Sequence, residues 1–241
     1  MKLEVSKTKQ AVAQNFANYL VDLMEGNESL HIALSGGSTP KIVFEELASR
    51  NIPKETWRKI NLYWGDERCV PPDDDDSNYK MTVTHLLSKI AIPEENIHRI
   101  KGENSPEDEA GRYAEVLKTY LPNINNTPRF DLVILGMGDD GHTASIFPHE
   151  IELWHSERLC EVANHPETGQ KRITITGELI NNATTAAFLV TGISKAEKAA
   201  EIIDSNGNFR DYPASLVAPN SGNLLWFLDE AAAKDITSGQ S

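Results

Sequence analysis

The stretch FDLVILGMGDDGHTASIFP, residues 130–148, decides how this chain is built. It opens on a short apolar run of the kind that forms a strand buried on both faces. The run breaks at three glycines within six residues, Gly136, Gly138 and Gly141, and then delivers Asp140 and His142. Glycine permits backbone angles and close approaches that a bulkier residue blocks. A turn of this kind, at the carboxyl end of a buried strand, is where open α/β sheets hold their ligands. Histidine is the side chain best suited to moving protons near neutral pH. Loop geometry alone would also account for a glycine-rich turn, so the flanking sequence has to choose.

Outward from this motif, apolar patterning predicts strands over residues 30–34, 60–64, 172–176, 186–190 and 224–228, with the motif's own strand over 130–135. Helical spacing covers 8–25, 40–50, 77–90, 106–121 and 194–204, and a short helix is expected after the last strand. Pro40 falls in the first turn of its helix, where a missing N–H costs nothing. Strands alternate with helices along the whole length. The expected fold is therefore α/β, a single Rossmann-like domain with a mostly parallel sheet covered by helices on both faces. There is no internal repeat and no long flexible linker, so residues 1–241 read as one domain, with 236–241 as a frayed tail.

Composition narrows the class of function. A hydrophobic fraction of 39% supports a sizeable core, and no run approaches the roughly 18–20 apolar residues of a membrane span. The first residues lack the apolar stretch of a secretory signal. Cys69 and Cys160 stand far apart, with no C-x-x-C pair, which gives neither a disulfide framework nor a zinc signature and suits the cytoplasm. A formal charge of −13 argues against nucleic-acid binding, which depends on basic patches. It does not argue against a small anion held by local cations and a helix N-terminus.

Three more segments carry chemistry. In His31-Ile32-Ala33-Leu34-Ser35-Gly36-Gly37-Ser38-Thr39-Pro40 a strand runs into a Gly-Gly turn and then a helix capped by Ser or Thr. Free N–H groups, the helix dipole and two hydroxyls suit a small phosphate monoester. The Walker and dinucleotide spacings are both missing. The bland alternative is a tight turn with an ordinary N-cap. Gly65-Asp66-Glu67-Arg68 follows its strand in the same way and offers two acids and a guanidinium, or else a surface salt-bridge cluster. Lys195, after the strand at 186–190, is placed to meet a phosphate, and Arg172 offers similar help with weaker support; an exposed lysine is the ordinary alternative. The acidic run Asp73–Asp76 lacks calcium-loop spacing and reads as a solvated loop that caps a helix at Ser77. No metal site is expected.

Taken together, Leu34–Pro40, Trp64–Tyr79, Leu135–Pro148, Arg172–Thr176 and Gly192–Ala196 resemble the 6-phosphogluconolactonase family, within the larger group that includes glucosamine-6-phosphate isomerases. The resemblance implies a Rossmann-like domain with no nucleotide, cofactor or required metal. It implies hydrolysis of 6-phospho-D-glucono-1,5-lactone in the oxidative pentose phosphate pathway, the partner being that phosphorylated sugar lactone. Isomerases of the group keep a carboxylate before the motif's final proline, where this chain has Phe147. They also carry an aromatic residue where Arg68 stands. Both differences favour the lactonase. Asp139 departs from the family pattern, which often has proline there, and leaves open which of two acids orients His142.

On this resemblance His142 moves the proton, Asp140 orients it and Arg68 stabilises the developing oxyanion. Gly36, Gly37, Ser38 and Thr39, with Lys195 and Arg172, anchor the phosphate, while Asp66 and Glu67 shape the site. The rival functions are aldose–ketose isomerisation of an amino-sugar phosphate and a non-catalytic sugar-phosphate sensor. Monomer and homodimer both remain open.

Overall fold

The apolar run of the central motif forms a strand over Leu132–Leu135 in which all four residues are buried, and Thr185–Val190 is buried along all six. Successive side chains of a strand point to opposite faces, so such strands need cover on both. The computed structural model describes residues 1–124 and 127–237. In chain order its strands are β1 (Lys2–Ser6), β2 (Leu30–Leu34), β3 (Ile60–Trp64), β4 (Asp66–Arg68), β5 (Ile97–His98), β6 (Asn123–Ile124), β7 (Thr127–Pro128), β8 (Leu132–Leu135), β9 (Cys160–Asn164), β10 (Lys171–Ile175), β11 (Thr185–Val190) and β12 (Leu224–Asp229). The α-helices are α1 (Lys9–Glu25), α2 (Ser38–Ser49), α3 (Lys54–Trp57), α4 (Asn78–His85), α5 (Pro106–Tyr120), α6 (Gly177–Asn182) and α7 (Ala196–Ile203).

Seven strands make one sheet in the order β1-β12-β11-β8-β2-β3-β5. Every pairing in it is parallel, so all the strands run their carboxyl ends to one edge. Helices flank this sheet. Thr8 caps α1 by accepting from the Ala11 N–H at 3.2 Å, and Val12, Phe16 and Leu20 bury one stripe of that helix. Phe16 packs edge-on against Phe227 of β12, with ring centroids 5.1 Å apart. Phe188 of β11 stacks on Trp226 of β12 at 4.0 Å. No described helix is long and apolar enough to cross a membrane.

The structure departs from the sequence expectations in four places. The strand predicted at 172–176 forms β10 but lies outside the parallel sheet; it joins β4 and β9 in a second, antiparallel sheet of order β4-β10-β9. The helix predicted over 77–90 ends at His85 and continues only as a 3₁₀ turn, Leu87–Lys89. No helix follows β12 among the described residues. Instead Asp229 accepts from the Ala232 N–H at 2.8 Å and closes successive turns there. Of the tail expected to fray, Ile236 is buried and the Thr237 N–H donates to Asp204 at 2.8 Å; residues 238–241 lie outside the described residues. Strands β1, β4, β5, β6, β7 and β9 and the short helices α3 and α6 are additions that the patterning did not indicate.

Candidate active site

Four adjacent parallel strands, β3, β2, β8 and β11, deliver their following loops to the same edge of the sheet. Between these loops lies a cavity of about 240 Å³ lined by Ser35–Pro40, Asp66, Arg68, Asn78, Gly136–Gly138, His142, Ala144, Arg172, Leu189–Thr191 and Lys195. Nine of the eleven residues singled out from the sequence therefore line one cavity. The exceptions are Asp140 and Glu67.

The loop after β2 differs in one detail from the expected turn. Gly37, not Ser38 or Thr39, is the N-cap of α2, and no side chain caps it. Its φ of 105° belongs to the region open to glycine, which is why the turn needs that residue. Ser38 and Thr39 are instead the first helical residues, so their N–H groups belong to the unsatisfied first turn. Thr39 Oγ1 bonds Thr191 Oγ1 at 2.8 Å, tying the loop to the end of β11.

In the loop after β8, Asp140 Oδ1 lies 2.6 Å from His142 Nδ1 and accepts from the His142 N–H at 3.1 Å. This geometry assigns a proton to Nδ1 and leaves Nε2 for chemistry. Burial works to raise the Asp140 pKa, but the hydrogen bond and charge of His142 outweigh it and hold the carboxyl below its usual range. The loop folds back on itself, the Gly138 N–H donating to the His142 carbonyl at 2.9 Å. A Cβ on Gly138 would collide with both the imidazole and the Asp140 carboxylate. Beneath the imidazole lies the buried ring of Phe147, with centroids 4.5 Å apart. The question of which acid serves His142 thus has a geometric answer. Asp139 turns away, with Oδ1 at 2.7 Å from Lys195 Nζ.

The second sheet supplies the guanidiniums. Arg68 of β4 and Arg172 of β10 are cross-strand partners. Like charges directly opposite one another destabilise a sheet unless an anion joins them. Burial first, and then the charge of Arg68, push Arg172 below the ordinary arginine range. Arg68 Nε and Arg172 Nε are both buried without a hydrogen-bond partner. Arg68 also donates to the Asp76 carbonyl, and Arg172 lies 5.5 Å above the Phe147 ring. The result is a positively charged stretch of the cavity wall.

Asp66 is buried, accepts from Ser145 Oγ at 2.6 Å and is approached by Asn78 Nδ2 at 3.3 Å. Glu67, expected to shape the site, does not line the cavity. Its carboxylate accepts from the N–H groups of Arg68, Asn78 and Tyr79 and from Ser77 Oγ, at 2.7–3.0 Å. It is a buried anchor for the start of α4, where the helix dipole favours an acid. Burial raises its pKa despite those donors. Sequence reasoning missed Asn78, which lines the cavity, and Ser145, which holds Asp66. Both lay inside quoted motifs, yet only tertiary packing reveals what they touch. Ser77 caps α4 as expected, accepting from the Lys80 N–H at 3.1 Å. Among the described residues no group of three or more His, Cys, Asp or Glu side chains is arranged to hold a metal.

Fold and site together define a Rossmann-like α/β protein with an Asp–His pair and a glycine-turn helix N-terminus at the carboxyl edge of a parallel sheet. The family model described as glucosamine-6-phosphate isomerases/6-phosphogluconolactonase matches residues 4–226, and the chain belongs to that family. It is 43% identical over 228 residues to a 6-phosphogluconolactonase of Haemophilus influenzae, covering 94% of this chain and 96% of the relative. The crystal structure of the devB protein is similar at 40% identity with a TM-score of 0.93, covering 98% of this chain and 99% of that one. The 6-phosphogluconolactonase from Thermotoga maritima is similar at 29% identity with a TM-score of 0.80, covering 94% and 97%.

Proposed function

We propose that this chain is a carboxylic ester hydrolase that converts 6-phospho-D-glucono-1,5-lactone to 6-phospho-D-gluconate, a cytoplasmic step of the oxidative pentose phosphate pathway. The observation that carries the proposal is the Asp140–His142 pair, 2.6 Å apart, beside a cavity that also receives Arg68, Arg172 and the Gly36–Thr39 loop. The lactonase names of the relatives support the substrate.

The chemistry needs an attacking water, a stabilised oxyanion and a proton for the leaving oxygen. His142 Nε2 takes a proton from water as its oxygen bonds to the lactone carbonyl carbon. Negative charge gathers on the carbonyl oxygen, where the guanidinium charges of Arg68 and Arg172 on the cavity wall stabilise it. Collapse of the tetrahedral species breaks the bond to the ring oxygen, which takes its proton from the imidazolium. The product acid then ionises in water. Asp140 keeps the imidazole in the productive tautomer, and the free N–H groups at the start of α2, with Lys195, hold the phosphate. Asp66 lies on the cavity wall and shapes it. Glu67 has no role at the substrate in this scheme. Phe147 contributes an apolar floor where isomerisation would call for a carboxylate.

Lactone hydrolysis measured against the spontaneous rate tests the proposal, with glucosamine 6-phosphate as the second substrate. The expected result is an enzyme-dependent rate with the lactone and no ammonia from the amino sugar. A lactone rate equal to background, or release of ammonia with fructose 6-phosphate, would overturn it.

A further inference from the structure

Asp139 takes no part in the scheme above, yet it is ion-paired to the lysine that lines the cavity. Its Oδ1 lies 2.7 Å from Lys195 Nζ; the lysine side chain is 22% exposed and the carboxylate 68%. Lys195 lines the cavity beside the Gly36–Thr39 loop, whereas Asp139 stands outside the lining. The neighbouring Asp140 points to His142, so consecutive acids of one turn serve different cations. The Lys195 hydrogen bond is the main cause that holds the Asp139 carboxyl below its usual range; partial burial opposes it, and Ser194 adds a second hydrogen bond.

We propose that Asp139 is the resident counter-ion of the phosphate anchor: in the empty cavity it neutralises Lys195, and an arriving phosphate dianion takes the ammonium from it. The inference rests on reading the cavity as a sugar-phosphate site. An ion pair this exposed is weak, because water and salt screen it. A phosphate held at the same time by the free N–H groups at the start of α2 competes with it successfully. A neutral sugar brings no charge to set against the carboxylate. Asp139 therefore raises the requirement for a phosphate while weakening its affinity, which favours product release.

Calorimetric titration of inorganic phosphate at pH 8 into the wild type and Asp139→Asn tests this. The variant is isosteric and its side chain is exposed, so the fold is kept. Phosphate should bind roughly two- to fivefold more tightly to the variant, the range set by a weak exposed ion pair. In a Lys195→Ala background the same substitution should give little or no gain. Unchanged or weaker binding by Asp139→Asn would overturn the proposal. In lactone kinetics the gain should fall on KM and not on kcat. Phosphate binding needs no turnover, so absence of lactonase activity would count against the reaction alone.

Discussion

Asp139 and Asp140 are neighbours in sequence and differ in everything they touch: one holds the cavity's lysine and the other the imidazole. The second contact has a consequence for acid stability. The folded pKa of Asp140 is depressed from 3.8, so its contribution is fully present above that unfolded value and is lost as pH falls through the folded value. Urea midpoints of the wild type and Asp140→Asn should therefore differ at pH 7 and converge below about pH 3.8. A difference that persisted or grew in acid would remove the linkage. At this scale the grouping was legible: the motifs that hold His142, Arg68 and Lys195 do line one cavity, and Asp140 does sit on His142. Glu67 was misjudged because an acid next to a catalytic-looking arginine looks the same whether it faces ligand or the N–H groups of a helix. Asn78 and Ser145 were missed because hydrogen-bonding residues are ordinary until their partners are known.

The loops between elements depend on how closely the backbone can approach its own side chains. Gly138 lies under the imidazole and the Asp140 carboxylate, with no room for a Cβ. Gly138→Ala should displace both groups and lower kcat by about 10- to 100-fold, part of the loss expected for general acid–base catalysis, while KM moves little. Steady-state kinetics would read the split, and a normal kcat would show that the loop accommodates the methyl group. Most elements were visible in the patterning because their apolar period was long enough, as in α1 and β11. The short edge strand β1 was not; Val5 is 51% exposed and the segment has no clean alternation to read. The N-cap of α2 was misassigned by one residue because hydroxyls at Ser38 and Thr39 imitate a cap that Gly37 supplies by conformation.

At the scale of the molecule, a seven-stranded parallel sheet gathers the loops and a small antiparallel sheet brings Arg172 to them. Alternating strands and helices made the first predictable. The second was hidden, since a five-residue strand carries no mark of which sheet it will join. Helix α5 links the two: it packs on β9 and β10, and its buried Tyr113 hydroxyl accepts from the Trp64 N–H and donates to the Trp64 carbonyl, both at 2.9 Å. Tyr113→Phe should cost about 1–3 kcal/mol, the penalty for leaving buried polar groups unpaired, read as a shift in the urea midpoint. An unshifted midpoint would mean that the link is incidental. All of this architecture converges on one imidazole, and the most direct test is the turnover of His142→Ala on the phosphorylated lactone, corrected for spontaneous hydrolysis. The expected result is a loss of roughly 10²–10⁴-fold in kcat. Near-normal turnover would contradict it.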